Sequence, residues 1–346
     1  MPDLPGAALR LDLDLDALQN NWRALDKASG RARAGAAVKA DAYGLGVAKV
    51  VPALHAAGCR DFFVAHWSEV GDVLPFAAPA SIAVLHGPLT DADAAYARTI
   101  GARPVINSLE QARRWLAAGG GRCDLMVDTG MNRLGVSLDE LGDEALAALE
   151  IETLLSHLVS AEEDTALNER QRERWDAARR MLPHRRASLA NSAGIMLGEG
   201  WHGDLTRPGI ALYGGVPRDD MAGMIRQVVR PQAAILQVRQ VAAGETIGYN
   251  ATFTAPRAMR TGTVSIGYAD GFLRCWSGKG QFSANGHTLP VLGRVSMDMS
   301  VIDLSDAPEL GEGDWVTADY SLPRSAAITG LSQYELLTVL GRRFSR

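Results

Sequence analysis

The chain has 346 residues, of which 47% are hydrophobic and 22% charged, and a formal net charge of -5. This is the composition of a folded chain long enough for two domains. An anionic chain without a basic run has no electrostatic reason to seek nucleic acid or an anionic membrane, and no apolar run is long enough to span a bilayer.

The N-terminal stretch lacks the basic patch and apolar core of a secretory signal. Residues 8–14 alternate strictly, Leu9, Leu11 and Leu13 against Arg10, Asp12 and Asp14, and predict a half-buried strand. Asp16 is then expected to cap a helix running to Lys27. Short apolar runs follow at 35–38, 62–65, 82–85, 104–106, 125–127, 153–155, 187–190 and 205–212, the last interrupted by a Pro-Gly turn. Amphipathic stretches such as 164–181 separate them. Eight strand-like runs alternating with helices predict a parallel sheet, and eight is the number that closes a (β/α)8 barrel. Beyond about Met224 the runs 233–241, 262–266, 288–292 and 301–304 follow one another through Gly-containing turns, which reads as an all-β domain. The expected fold is therefore α/β, an N-terminal (β/α)8 TIM barrel over 15–224 followed by a C-terminal all-β domain over 225–346. The strand within 1–14 is a candidate to join the β-domain.

Cys59, Cys123 and Cys275 lie far apart and offer neither a zinc site nor a disulfide framework, so a reducing, cytoplasmic setting is expected. HExxH, GxSxG and Walker-type signatures are absent. The strongest local signal is Val38-Lys39-Ala40-Asp41-Ala42-Tyr43-Gly44-Leu45-Gly46. Lys39 ends the first strand of the expected barrel, at the rim where catalytic groups cluster. A lysine that loses hydration there falls below its usual pKa of about 10.4 and becomes a nucleophilic amine. Considered alone, such a lysine more often snorkels to solvent. Arg207-Pro208-Gly209 could be an ordinary turn, or a place where backbone approaches a phosphate closely. His66, His86 and His157, each near a strand end, more often read as satisfied core residues, and Tyr249 as a packed aromatic of the β-domain.

The lysine segment resembles the cofactor-lysine signature of the alanine racemases. Further stretches resemble that family in the same order: Asp128-Thr129-Gly130-Met131-Asn132-Arg133-Leu134-Gly135, Ala190-Asn191-Ser192-Ala193, the run from Arg207 to Gly214, Gly267-Tyr268-Ala269-Asp270-Gly271, and the run from Gly293 to Asp298. The resemblance covers essentially the whole chain. It implies a barrel followed by a β-domain, and pyridoxal 5'-phosphate (PLP) as cofactor. It implies racemisation of L- and D-alanine by two bases, Lys39 and Tyr249, on opposite faces of a planar adduct. Lys39 would hold the cofactor covalently. Tyr43, Asn191 and Ser192, with the N–H groups of Gly209 and Ile210, would bind it. Arg207 would face the pyridine nitrogen and, unlike an acid, keep that nitrogen unprotonated. His157 would lie against the ring and link Arg207 to a tyrosine. Arg133 and the backbone of Met297 would bind the substrate carboxylate, and Tyr268 and Asp298 would line the entry path. A homodimer with shared active sites is implied as well.

Three positions depart from the family. Met126 stands where many members have a lysine whose carbamate buttresses the arginine equivalent to Arg133. Asp128 or a bound chloride is the expected substitute. Ser188 replaces a histidine that supports Arg207, and Gly341 aligns with a tyrosine that contacts phosphate. The competing readings are a racemase acting on serine or basic amino acids, a related amino-acid decarboxylase, and a non-catalytic PLP carrier. The β-domain with Tyr249 and Tyr268 argues against the carrier.

Overall fold

The computed structural model describes residues 6–345; residues 1–5 of the expected N-terminal segment, and Arg346, lie outside the described residues. The chain forms two compact units, Leu15–Arg226 and a second that joins the segment ending at Asp14 to Gln227–Arg346.

In the second unit the alternating segment is a strand, β1 (Leu9–Leu13). The first unit opens on a helix, Leu15–Ala28. Asp16 does not cap it from outside but sits in its first turn, where its charge still favours the positive end of the helix dipole. The strands that follow are β2 (Arg33–Ala34), β3 (Ala36–Ala37), β4 (Phe62–Val64), β5 (Ile82–Val84), β6 (Arg103–Ile106), β7 (Arg122–Met126), β8 (Glu150–Leu155), β9 (Arg186–Ser188) and β10 (Leu205–Thr206). Strands β3 to β9 pair in parallel in sequence order. The run expected at 205–212 is a strand only at its start; Ile210–Tyr213 is a single 3-10 turn. Its short strand nevertheless completes the ring. β10 pairs in parallel with β2. Thr206 and Pro208 carbonyls accept from Gly35 and Ala37, and Ala190 accepts from Arg207. The (β/α)8 barrel is thereby closed.

The helices lie on the barrel through faces that the sequence makes apolar. Thr165 caps the long helix Ala166–Met181 by accepting from Leu167 N–H. That helix buries Trp175 and Ala178 against Leu154, Ala187 and Leu189 of the strand layer. Full burial of side chains of this kind contributes about 1.5–3 kcal/mol each.

The other unit is antiparallel. Its strands after β1 are β11 (Val229–Val241), β12 (Thr246–Ile247), β13 (Phe253–Thr254), β14 (Met259–Val264), β15 (Gln281–Ala284), β16 (His287–Leu292), β17 (Ser300–Asp303) and β18 (Trp315–Ala318). β1 runs beside β11 from Leu9 opposite Ala233 to Leu13 opposite Val229. The order β11-β14-β17-β16-β15-β18 returns to β11, which removes the exposed sheet edges. Two short helices, Leu322–Thr329 and Gln333–Thr338, follow. β15 and β18 were not read from sequence. Each is only four residues long, and β18 follows a Gly-rich turn.

Candidate active site

Lys39 stands immediately beyond β3, at the C-terminal rim of the barrel, and is half-buried. Burial, and then the charge of Arg133, lower its pKa, against a smaller raising effect of Glu69. The four residues after it, Ala40, Asp41, Ala42 and Tyr43, all have φ between 53° and 57°, and Gly44 ends the turn at 85°. A left-handed turn of non-glycine residues costs roughly 1–2 kcal/mol per residue, so it persists only because its surroundings hold it. Glu69 is one of those holds. One carboxylate oxygen accepts from Ala40 N–H at 2.6 Å, and the other accepts from Ala65 and His66 at 2.6 and 3.0 Å. Sequence reasoning missed Glu69. The signal was an acid three residues past His66, the N-cap of a 3-10 turn, where a helix N-terminus invites a carboxylate.

The turn delivers Tyr43 to the arginine-proline-glycine segment. Its ring lies 4.8 Å from that of Tyr213, whose hydroxyl donates to Ala37 O. A Cβ at position 209 would collide with the Tyr43 hydroxyl. Ser192 Oγ accepts from Gly209 N–H at 2.9 Å and from Ala211 N–H at 3.3 Å. Its own hydrogen is left to donate. Hydroxyls of Tyr43 and Ser192 therefore converge on the N-terminal end of the Ile210–Tyr213 turn, where backbone N–H groups favour an anion. Asn191 Oδ1 accepts from Gly194 N–H at 2.8 Å and so shapes the loop that carries Ser192.

Gly209→Ala should destabilise the protein by about 1–3 kcal/mol through overpacking, and should weaken cofactor binding more than it lowers the melting temperature alone would explain. Denaturant unfolding and a PLP titration of the cofactor-free variant check this; an unaltered affinity would remove Gly209 from the cradle.

Arg207 is buried, and its guanidinium donates to Ser188 Oγ and to the carbonyls of Ser156 and Leu189. Ser188 thus performs the support expected of a histidine. His157, just beyond β8, is pushed down to about 3, first by burial and then by Arg207, Arg133 and Lys39. It is a neutral imidazole at any ordinary working pH, in keeping with three cations nearby. Its side chain is not seen bonded to Arg207. His66 and His86 are exposed at the ends of β4 and β5, not core residues, with ring centroids 4.2 Å apart.

Arg133 is exposed. Asp128 does not pair with it; its Oδ1 accepts from Gly130 and Met131 N–H, both at 2.8 Å. The expectation of a buried guanidinium needing an anion is therefore corrected: water can solvate Arg133. Met126 is buried on the wall beneath.

In the antiparallel unit, Tyr249 lies at the tip of the β12–β13 hairpin and is 66% exposed. It is no packed core aromatic. Asn250 and Ala251 beside it have φ of 61° and 48°, strained positions of the kind found at functional loops. Tyr268 opens a 3-10 turn whose Ala269 N–H donates to Met297 O. A Cβ at Gly267 would strike the carbonyls of Ser296 and Met297, so this close approach needs glycine. Arg343 bonds Asp270 and Asp298, each at 2.7 Å. Gly341 packs against the same turn, where a Cβ would lie 2.9 Å from Ala269 O. Arg274 lies over the Tyr268 ring at 5.1 Å.

A closed parallel barrel with a half-buried lysine of lowered pKa on its rim, in a chain with a separate antiparallel domain, defines a two-domain barrel enzyme. Residues 13–217 match the model of the alanine racemase N-terminal domain, and residues 228–346 that of the C-terminal domain. The chain belongs to the alanine racemase family. It is 44% identical to the alanine racemase of Methylobacterium nodulans, over 97% of this chain and 95% of the relative. It is 40% identical to the biosynthetic alanine racemase of Agrobacterium fabrum, over 98% and 93%. Among solved structures it resembles alanine racemase from Bartonella henselae with covalently bound pyridoxal phosphate, at a TM-score of 0.90 and 35% identity, over 99% of both chains.

Proposed function

We propose that this protein interconverts L- and D-alanine with PLP bound at Lys39, and that Lys39 and Tyr249 are the two bases. The observation that carries this reading is the lysine of lowered pKa beside the Tyr43–Ser192–Gly209 cradle. Those groups fit a phosphate ester: two hydroxyls brought to the start of one short turn, with Gly209 leaving room for a close approach. When bound, PLP supplies the electron sink that acidifies the substrate's Cα–H.

The chain's own groups do the rest. Tyr43 Oη, Ser192 Oγ, Ile210 N–H and the backbone of Gly209, whose N–H here donates to Ser192 Oγ, would hold the phosphate. Arg207, protonated at neutral pH, would face the pyridine nitrogen and leave it unprotonated, which would restrain the sink and disfavour side reactions such as transamination. His157, kept neutral first by burial and then by its cationic neighbours, would lie against the ring without adding charge. Arg133 and Met297 N–H hold the substrate carboxylate, with Tyr268 and Asp298 at the entrance. Lys39 Nζ moves the proton on one face and Tyr249 Oη on the other.

We infer a homodimer whose sites are shared. Tyr249, Met297 and Met299 are large apolar side chains exposed on the antiparallel unit at 66%, 54% and 42%, and Leu134 is exposed at 46% beside Arg133. Such exposure next to candidate site residues marks an interaction surface. A cytoplasmic setting goes with this reading, since all three cysteines are unpaired.

Incubation of the PLP-loaded protein with separate L-amino acids, followed by chiral analysis, should show D-alanine well ahead of D-serine or basic D-amino acids. Mixing inactive Lys39→Ala and Tyr249→Ala variants should restore part of the activity as subunits exchange. Exchange without recovery would argue against shared sites.

A further inference from the structure

The interior of the barrel carries a charged layer in a place that bulky aliphatic side chains usually fill. Arg103 on β6 bonds Asp124 on β7, its Nε lying 3.3 Å from both carboxylate oxygens. Arg186 on β9 bonds Asp61 at 2.8 and 3.1 Å and the hydroxyl of Thr153 on β8 at 3.3 Å. Arg103 also reaches Asp61 at 3.4 Å. The registers place Asp124, Thr153 and Arg186 side by side on three neighbouring strands. Glu152 lies outside this row at the bulge between β7 and β8, and both Arg186 and Arg185 are near it.

Two residues further along the same strands stand Met126, Leu155 and Ser188, again paired side by side. By the period-two alternation of a strand they form the next interior layer, about 7 Å nearer the C-terminal rim. Arg207 bonds Ser188 in that layer. Every direct acceptor of its guanidinium is neutral. A buried cation without an anion in contact must draw its compensation from further off.

We propose that Asp124 is a positioning residue for Arg207: from the layer below, its carboxylate keeps the buried guanidinium charged and aimed, and Arg103 holds Asp124 in place to do so. This rests on the reading that Arg207 faces the cofactor's pyridine nitrogen. Asp124 has no exposure to solvent. Burial pushes its carboxyl up, and Arg103 and Arg186 pull it back; with a guanidinium nitrogen on both oxygens we assign the anion. Burial brings Arg207 down to about 10, and Asp124 opposes that fall. The other charged groups of the lower layer are two cations, Arg103 and Arg186, and one anion, Asp61, so loss of the Asp124 charge leaves a net positive layer beneath Arg207. His157 is neutral, and Lys39 lies at the rim.

The sign follows. Removing the Asp124 charge lets Arg207 lose its proton at lower pH. In the PLP-loaded protein, the alkaline change in cofactor absorbance should move down by about one to two pH units in Asp124→Asn, a charge effect across about 7 Å at an effective dielectric near 20. PLP should still bind. Asp124→Glu should return the transition toward its original position. Arg103→Gln, which removes a positive charge from the same layer, should not lower it.

Equal lowering in Asp124→Asn and Arg103→Gln would reduce the layer to a structural role, and an unmoved transition in Asp124→Asn would overturn the proposal. Should Arg103→Gln fail to fold, the comparison of Asp124→Asn with Asp124→Glu decides alone. Arg207→Lys separates the two levels. If it leaves the absorbance titration unchanged, Arg207 does not face the cofactor. If it shifts the titration while Asp124→Asn does not, only the inference about Asp124 falls.

Discussion

Lys39→Ala should lose racemase activity by at least about 10⁴-fold, because one side chain supplies both the covalent hold on PLP and one of the two bases. The competing sites are few. Besides Lys39 the chain has three lysines, Lys27, Lys49 and Lys279, and all three are exposed while Lys39 is half-buried. Burial and Arg133 lower the pKa of Lys39. The loaded protein should be yellow. Borohydride should bleach it and leave the pyridoxyl group on a single peptide, the one bearing Lys39. Mass spectrometry of a digest reads the outcome directly, and a label on any of the other three lysines would sink the assignment. The variant should keep a cooperative unfolding transition, since the left-handed turn after it is held by Glu69 and by Gly44 and not by the Lys39 side chain.

Tyr249→Phe should produce a directional loss. The ring, 66% exposed on a hairpin tip, keeps its place when only the hydroxyl is removed, so PLP should still bind with its usual absorbance. In heavy water the variant should still exchange the α-proton of D-alanine, through Lys39. Exchange from L-alanine and net racemisation should fall by about 10²–10⁴-fold, the usual contribution of one general base. Proton NMR of the two enantiomers in separate tubes measures both rates. Equal loss for both would assign Tyr249 a structural role. Full activity would move the second base elsewhere, with Tyr268 the first residue to test.

Much of the fold was legible because it is written in periodicities. Strict alternation marked Leu9–Leu13, and short apolar runs spaced by amphipathic helices marked the barrel strands. The site was legible through motifs, since the segments bearing Lys39, Ser192 and Arg207 each carry residue types that suit a lysine-bound phosphate ester. What failed to be legible was short or depended on partners distant in sequence. β15 and β18 are too brief to show a period. The exposure of His66 and His86 depends on where strands β4 and β5 happen to end. Asp128 was read as an ion-pair group for Arg133, but short carboxyl side chains readily satisfy backbone N–H groups two or three residues on, and here it does so.

The sequence by itself determined that this chain is a barrel joined to an antiparallel domain, while Lys39 and Tyr249 became the candidate bases through the family resemblance of the segments that bear them. Hydrophobic period and contiguous motif are local properties, and they survive being read along a line. Only the tertiary structure decided that Ser188 supports Arg207, that Glu69 pins the turn after Lys39, and that Arg103, Asp124 and Arg186 share one interior layer. Those relations join residues 19 (Ser188 and Arg207) to 83 (Arg103 and Arg186) positions apart. Barrel closure and strand register create them, and neither propensity nor spacing along the chain encodes which inward-facing side chains will meet.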